Sequence, residues 1–268
     1  MQRYQIIHRT YYNFVDEVVL GAHELRLRPR EDHGLRLESF DLKLTPPASL
    51  LWHRDAEGNS VAVASFGETT RQLAIQSEVI IQLFSDNPLD FIVADYAVNH
   101  PFSYDENDMV LLAPYRLAPG PPTSTIVQQW IGNFWQPGDQ VQTYSLMQTM
   151  AAYINSTLTY RVREEPGVQS PELTLQSGTG SCRDFSMLFM EAAKCLGLAA
   201  RFVSGYLYDP LAIDAGATLA WAERYLAGAG WLGFDPTTGG LAGADHIPVA
   251  VARLPESVPP VAGSFTGN

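Results

Sequence analysis

The chain has 268 residues, of which 46% are hydrophobic, so it can bury a large core and is long enough for two modest domains. It carries 17 lysines and arginines against 29 aspartates and glutamates, for a net charge of -12. Because an acidic chain repels the phosphate backbone, this balance argues against a nucleic-acid partner.

The cysteine count and the apolar runs bear on the compartment. Cys182 and Cys195 are too few for a disulfide framework and lie outside the C-x-x-C redox spacing, which favours a reducing environment. The stretch MQRYQIIHRTYYNF has no apolar signal core, and no run approaches the roughly 18 apolar residues of a membrane span. We therefore expect a cytoplasmic protein with no membrane association.

The first hundred residues carry the period-two pattern of half-buried strands. The alternation changes phase after Leu37, which predicts a β-bulge near Glu38 or Ser39. Gly58 and Asn59 predict a turn between two further strands. Several short strands of this kind predict an N-terminal antiparallel β-sandwich over residues 1–110. The clearest alternation has apolar residues at Leu73, Ile75, Val79, Ile81 and Leu83.

Helical spacing replaces this alternation after the stretch LAPYRLAPGPPTS, which is rich in proline and glycine. The segment CRDFSMLFMEAAKCLGLAARFVSGYLYDP predicts a helix that ends at Gly197 and is followed by a strand. Cys195 falls on the apolar face of this helix, so we expect it in the core. We assign residues 111–268 to a second domain that ends in an extended tail, LPESVPPVAGSFTGN.

Cys182 stands at the predicted start of this helix, after the small residues of QSGTGS. A thiol at that place is close to the positive end of the helix dipole and to unpaired backbone N–H groups, which lower its pKa and favour the nucleophilic thiolate. The alternative is a small residue that is merely buried at a helix start. A nucleophilic cysteine needs a base and a group that orients the base, and other parts of the chain have to supply both.

The segment LAWAERYLAGAGWLGFDPTTGG predicts a β-hairpin that turns at residues 227–229. In that register Leu226 pairs with Gly230, and Asp235 faces Trp221. Leu219 then lies diagonally across from Asp235, at roughly 7 to 8 Å between backbones. A histidine at this position would complete a Cys, His, Asp set, but the residue there is a leucine.

Four segments, SGTGSCRDFSMLF, LGLAARFVSGYL, LAWAERYLAGAGWLGFDPTTG and HIPVAVAR, together resemble bacterial transglutaminase-like proteins of the cysteine-protease type. YQIIHRTYYNF, ELRLRPRE and DAEGNSVAVASF resemble the β-rich N-terminal domain that accompanies them. The resemblance implies an α+β fold in which the sandwich precedes a transglutaminase-like, papain-like domain. It also implies that Cys182 matches the nucleophile and Asp235 the third member of the triad.

The family pattern at the first strand of the hairpin is His-Ala-Trp, whereas this chain has Leu219-Ala220-Trp221. Leucine can neither take the thiol proton nor protonate a leaving amine. Loss of a triad member typically lowers turnover by about 10⁴- to 10⁶-fold. His246 is the histidine nearest to the hairpin in sequence and is the only substitute base we consider. The scattered histidines offer no metal site, and no cofactor is expected.

Two further residues are candidates for the site. Gln176 could donate to an oxyanion beside the backbone N–H of Cys182, or it could be a polar loop residue. Trp221 could wall the substrate cleft, or it could serve only in packing.

These residues leave three hypotheses open. The first is a cysteine hydrolase (peptidase or amidase) or acyl transferase that acts on a peptide or amide substrate through a thioester and is crippled by Leu219. The second is a non-catalytic protein that binds a peptide or a partner. The third is that Leu219 is not native, since one base change converts a histidine codon into a leucine codon. The resemblance also suggests ATP-grasp-like companion proteins as partners.

Overall fold

The computed structural model describes residues 2–84, 87, 89–117, 125–163, 165–208 and 218–267. The chain forms two compact units. The first contains residues 1–86, 247–251 and 258–268, and the second contains residues 87–246 and 252–257. Within the described ranges, no helix combines the length and the apolar character needed to cross a membrane.

The elements follow one another along the chain in three groups. Up to residue 84 the strands are β1 (Gln2–Leu20), β2 (His23–Leu25), β3 (Leu35–Thr45), β4 (Ala48–Arg54), β5 (Ser60–Phe66) and β6 (Thr69–Leu83). From residue 99 to residue 195 they are β7 (Asn99–His100), α1 (Glu106–Leu111), α2 (Ala113–Arg116), α3 (Thr125–Ile131), β8 (Val141–Gln142), α4 (Thr143–Thr157), β9 (Thr159–Tyr160), α5 (Pro171–Ser177), β10 (Thr179–Gly180) and α6 (Cys182–Cys195). The remaining strands are β11 (Ala200–Leu207), β12 (Leu219–Leu226), β13 (Gly230–Asp235), β14 (Gly240–Leu241), β15 (His246–Ala252), β16 (Val261–Ala262) and β17 (Phe265–Thr266).

The first unit is an antiparallel sandwich, in which one sheet has the order β17-β1-β6-β3 and the other the order β16-β2-β5-β4. Side chains on β6 alternate between buried and partly exposed, as the period-two pattern predicts. The predicted bulge is confirmed, because the pairing of β3 with β6 shifts register between Leu37 and Ser39. Gly58 has a φ of 74° in the predicted turn, where glycine avoids the strain that a side chain would suffer. The core between the sheets contains Val18, Leu20, Leu25, Leu27, Ala62, Ala64, Leu73 and Ile75.

The predicted second domain, residues 111–268, differs from the observed second unit at both its start and its end. Residues after 87 pack with the second unit, where Ala94 donates its N–H to Ala227 O at 2.8 Å and the Tyr104 hydroxyl donates to Tyr225 O at 2.8 Å. Of the predicted C-terminal tail, residues 258–268 belong to the first unit instead, whereas the residues up to 257 stay with the second. Residues 258–268 do so because β16 pairs with β2 and β17 pairs with β1. Backbone pairing over a long sequence separation, not a local change in composition, therefore fixes the boundary.

In the second unit β14, β13, β12 and β11 lie side by side in that order. Helix α6 packs on β12 and β11 through a face that includes Phe185, Leu188 and Phe189. The ring of Phe189 stacks on Phe234 of β13 with centroids 5.5 Å apart. This packing holds the start of α6 beside the starting end of β12, and it therefore sets the position of Cys182.

The end of α6 agrees with one prediction and contradicts another. Gly197 follows the helix with a φ of 77°, which matches the predicted stop. Cys195, however, is exposed, so the prediction that it lies in the core is wrong. Cys195 is the last residue of the helix and lines a surface pocket together with Leu196 and Trp135. At this end of the helix the apolar face no longer lies against the sheet.

Candidate active site

Cys182 is the first residue of α6, as the sequence predicts, and Ser181 is its N-cap. The Ser181 and Asp184 side chains form a reciprocal capping box, which satisfies backbone N–H groups that the first turn would otherwise leave unpaired. Gly180 approaches this turn so closely that an added Cβ would lie 3.0 Å from the Phe185 ring. A side chain at residue 180, two residues before Cys182, would therefore crowd the first turn of the helix.

Asp184 is fully buried and anchors the start of the helix. Its carboxylate accepts hydrogen bonds from Arg163 Nη1 at 2.7 Å, from Gln169 N at 2.7 Å and from Ser181 N at 2.8 Å. Burial alone would raise the pKa of Asp184, but these hydrogen bonds lower it. Arg183 is not the partner of this carboxylate, because its guanidinium donates instead to the carbonyls of Arg163 and Glu165.

The thiol of Cys182 is 8% exposed. Burial raises its pKa and the nearby charge of Asp235 adds to this, while the backbone N–H groups of Ala220 and Arg183 and the Arg183 charge act in the opposite direction. The net direction is upward, contrary to the lowered pKa expected at a helix start. Desolvation of the thiolate therefore outweighs the helix dipole here, and the protonated thiol is favoured at neutral pH.

Tyr160 is a residue at the site that the sequence did not reveal. Burial, the charges of Cys182 and Asp235 and a hydrogen bond to Cys182 raise the pKa of the Tyr160 phenol. Tyr160 comes to this place because β9 pairs in parallel with β10, which opposes Tyr160 to Gly180. The two strands lie about twenty residues apart in sequence, and no local motif signals their pairing.

The hairpin has the predicted register. Leu226 pairs with Gly230 and Ala222 pairs with Phe234, around a turn in which Gly228 has a φ of 88°. Leu219 is half-buried at the start of β12 and pairs with Gly205 of β11. The first residue of β12, beside the start of α6, is the position that the family pattern gives to the base. In this chain it carries the aliphatic side chain of Leu219.

Asp235 ends β13 and its side chain is fully buried. Its Oδ1 accepts a hydrogen bond from Thr237 N at 2.8 Å, and its Oδ2 lies 3.1 Å from Nε2 of His246. The other ring nitrogen of His246, Nδ1, accepts a hydrogen bond from Gly243 N at 3.2 Å. This pattern places the imidazole proton on Nε2, from which it is donated to the carboxylate.

The contacts of His246 leave neither ring nitrogen free to act as a base in this arrangement. A general base needs a free lone pair aimed at the proton that it takes. In His246 one nitrogen donates to Asp235 and the lone pair of the other is occupied by Gly243. Among the described residues, Cys182 makes no hydrogen bond to either nitrogen.

The two remaining candidates lie in different surroundings. Gln176 is exposed on α5, and its side chain makes no hydrogen bond to another described residue. Trp221 is only 2% exposed and meets the ring of His246 edge to face, with centroids 5.2 Å apart. In this arrangement Trp221 packs against the histidine that holds Asp235. Within the described ranges, no group of three or more His, Cys, Asp or Glu side chains could hold a metal ion.

The comparisons with known proteins agree with this architecture. Residues 4–82 match the bacterial transglutaminase-like N-terminal region, and residues 136–236 match the transglutaminase-like superfamily. The chain is a bacterial transglutaminase-like protein. The superfamily match includes Cys182, Leu219 and Asp235, whereas His246 lies beyond its end.

This transglutaminase-like protein has relatives in mycobacteria. It is 28% identical to the uncharacterized protein Rv2569c of Mycobacterium tuberculosis, over 99% of this chain and 88% of the relative. It is 24% identical to the uncharacterized protein ML0607 of Mycobacterium leprae, over 100% of this chain and 95% of the relative. A solved structure titled a "Putative Cysteine Protease" from Cytophaga hutchinsonii matches 99% of this chain and 90% of its own, with a TM-score of 0.71 and 16% identity. That likeness shows a shared fold.

Proposed function

We propose that this transglutaminase-like protein does not turn over amides, because the reaction is disabled at the position of its base, and that the site binds a peptide instead. The observation that carries the proposal is the environment of Asp235. Its carboxylate holds His246 and Thr237, while the base position, which the hairpin register predicts to be diagonal to Asp235, carries Leu219. Among the described residues, no imidazole bridges the carboxylate and the thiol of Cys182.

The chemistry of the disabled step makes the role of Leu219 explicit. In cysteine-based amide cleavage, the thiol proton passes to a base, the thiolate attacks the carbonyl carbon, and the carbon–nitrogen bond breaks as the amine receives that proton. Water or a second amine then resolves the thioester. Leu219 offers no lone pair for the first transfer and no proton for the second. The raised pKa of Cys182 leaves little thiolate to act without a base.

The test compares the parent chain with Leu219→His and with Leu219→Asn, a polar control that cannot take a proton. All three carry Cys195→Ser, because Cys195 is exposed and would also react with iodoacetamide. Alkylation of Cys182 is followed across pH, and amine release from a panel of N-acetylated peptide amides is measured.

We expect no turnover from the parent or from Leu219→Asn. We expect Leu219→His to react with iodoacetamide at lower pH and to release amine at least about 10²-fold faster than the parent, since a triad member typically supplies more than that. Turnover by the parent that disappears in Cys182→Ser would contradict the proposal. If Cys182 of Leu219→His is alkylated over the same pH range as in the parent, a missing base is not what disables the site.

The binding part of the proposal has its own measurement. The same peptide amides are titrated into the parent chain in a calorimeter, with Leu219→Asp as the control, because a charge at the half-buried position should weaken binding. Saturable heat from the parent that is reduced in the control is the expected result. Absence of binding to the parent up to millimolar peptide would refute this part alone.

A further inference from the structure

A buried arginine lies on β12, well away from the candidate active site. Arg224 is 0% exposed, and Nε, Nη1 and Nη2 have no hydrogen-bond partner among the described residues. Its guanidinium lies 5.8 Å from the centre of the Phe102 ring. Five residues of strand, or about 16 Å, separate Arg224 from Leu219. The feature is therefore distinct from the Cys182 site and does not depend on the proposed function.

The groups beside Arg224 do not neutralise its charge. Burial lowers the pKa of Arg224 to about 10, and Tyr104 is the group that opposes this, so the guanidinium keeps its proton at neutral pH. The Tyr104 hydroxyl donates to Tyr225 O at 2.8 Å and accepts from Ala199 N at 3.2 Å. It has one lone pair left for Arg224, but it carries no charge. A cation thus lies inside the protein without an anionic partner among the described side chains.

In contrast to Arg224, an arginine on the neighbouring strand has a paired guanidinium. Arg201 of β11 lies 2.6 Å from a carboxylate oxygen of Glu223 and 4.2 Å from the centre of the Trp231 ring. Among the described residues, Arg201 therefore has an anionic partner and Arg224 has none. A buried charge is stable when it is paired and hydrogen-bonded, and costly when it is not.

His100 is a second buried polar group in this part of the fold, two residues before Phe102, whose ring lies 5.8 Å from the Arg224 guanidinium. It is 2% exposed, and its Nδ1 has no hydrogen-bond partner among the described residues. Burial and the charge of Arg224 lower the pKa of His100 to about 4, so the imidazole is neutral at pH 7. A neutral imidazole still carries one N–H, which can be placed on Nδ1. Arg224 and His100 together offer unsatisfied donors in the interior.

Trp135 connects these groups to the surface. Its ring meets the ring of His100 edge to face, with centroids 5.1 Å apart. Trp135 also lines a surface pocket of about 550 Å³, together with Ile131, Gly132 and Leu196. A small solute in this pocket is therefore separated from His100 by a single aromatic side chain.

From these contacts we propose that a small monovalent anion, such as chloride, binds between the Arg224 guanidinium and Nδ1 of His100. Charge-assisted hydrogen bonds from the guanidinium would hold it, and the imidazole N–H would add a further donor. Because both residues are almost fully buried, a small anion fits better than a large one, and a single negative charge matches the single charge of Arg224. The anion enters past Trp135 and supplies the counter-charge that the described side chains do not provide.

The first experiment measures the melting temperature of the full chain in sodium chloride and in sodium gluconate at equal ionic strength. A ligand that binds only the folded state raises the melting temperature and its effect saturates. We expect a saturable rise of about 2 to 5 °C with chloride. Arg224→Met should abolish the rise. Arg9→Met, which removes an exposed arginine of β1, should preserve it.

A crystallographic measurement keeps the proposal testable if Arg224→Met does not fold. Crystals of the unsubstituted chain are grown in bromide, and the anomalous signal is located. We expect a peak within hydrogen-bond distance of the Arg224 guanidinium. Peaks confined to surface lysines and arginines would overturn the proposal. So would a chloride effect on the melting temperature that persists in a folded Arg224→Met variant.

Discussion

Nε2 of His246 lies 3.1 Å from Oδ2 of Asp235, within a pair whose side chains are 8% and 0% exposed. The carboxylate that the family pattern assigns to orienting the base therefore has a histidine partner, but that histidine comes from the start of β15 and not from the hairpin. The buried carboxylate of Asp235 thus has a hydrogen-bond donor, although Leu219 cannot donate to it. The pair stabilises the site without completing a route for a proton to leave Cys182.

Substitution of His246 should destabilise the fold. His246→Leu removes the donor to Asp235 and leaves a buried carboxylate oxygen with one partner fewer, which costs about 1–3 kcal/mol. His246→Gln is the matched control, because its amide can still donate to the carboxylate, and it should cost less. Urea unfolding of both variants measures the difference. Equal stability of His246→Leu and the parent would mean that this hydrogen bond contributes nothing.

The reactivity of Cys182 should reflect its raised pKa. Burial and the charge of Asp235 favour the protonated thiol. In a Cys195→Ser chain, we expect iodoacetamide to alkylate Cys182 with a midpoint at higher pH than for N-acetylcysteine. Mass spectrometry of the alkylated peptide gives the midpoint. A midpoint below that of the free amino acid would mean that the helix dipole outweighs burial, as the sequence suggested.

Removal of the Asp184 charge should weaken the start of α6. The Asp184 carboxylate caps the helix and holds Arg163, so Asp184→Asn should lower the free energy of unfolding by about 3 kcal/mol. The lowered pKa of Asp184 means that its contribution is present at neutral pH and is lost as the pH falls through the folded-state value. The stability of Asp184→Asn should therefore depend less on pH below 4.

The control for Asp184 is Asp41→Asn, which removes an exposed aspartate paired with Lys43. Exposed ion pairs contribute little to stability, so this variant should unfold like the parent in urea at pH 7. A comparable loss of stability in the two variants would contradict the role assigned to Asp184.

His100 should make stability depend on acid pH. Burial and Arg224 lower its pKa to about 4 in the folded chain, whereas an unfolded histidine titrates near 6.5. The unfolded state therefore binds more protons between these values, and stability falls as the pH drops from 6.5 to 4. His100→Phe should flatten this part of the profile by up to about 3 kcal/mol. The measurement is urea unfolding in gluconate buffer, so that no halide binds beside His100.

His53→Phe is the matched control for His100, because the same change is made at an exposed histidine of β4. It should leave the slope between pH 6.5 and pH 4 unchanged. An equal flattening in both variants would assign the effect to general acid titration and not to the buried imidazole.

Several features of the fold were predictable because their signals are local. The alternation along β6, the bulge after Leu37 and the stop at Gly197 each depend on residues close together in sequence. The register of the hairpin also follows from a short turn, which fixes how the two strands pair. The same register predicts that Leu219 lies diagonally across from Asp235, and that relation stays a prediction.

The failed predictions concern burial and distant partners. Cys195 has the spacing of a core residue but lies at the exposed end of α6, and the tail leaves the second unit because β16 and β17 pair with distant strands. Helical spacing predicts which residues lie on the same face of a helix. It does not predict where along the helix that face stops being buried.

The sequence by itself determined that the chain is transglutaminase-like, that Cys182 begins a helix, and that the base position carries a side chain without a lone pair. These facts depend on residue identity and short-range geometry. Only the tertiary structure decided that Asp235 is held by His246, eleven residues further along, that the pKa of Cys182 is raised, and that Arg224 has no anionic partner among the described residues. Those outcomes depend on desolvation and on which distant groups meet in the interior, and both arise only when the strands and helices have packed.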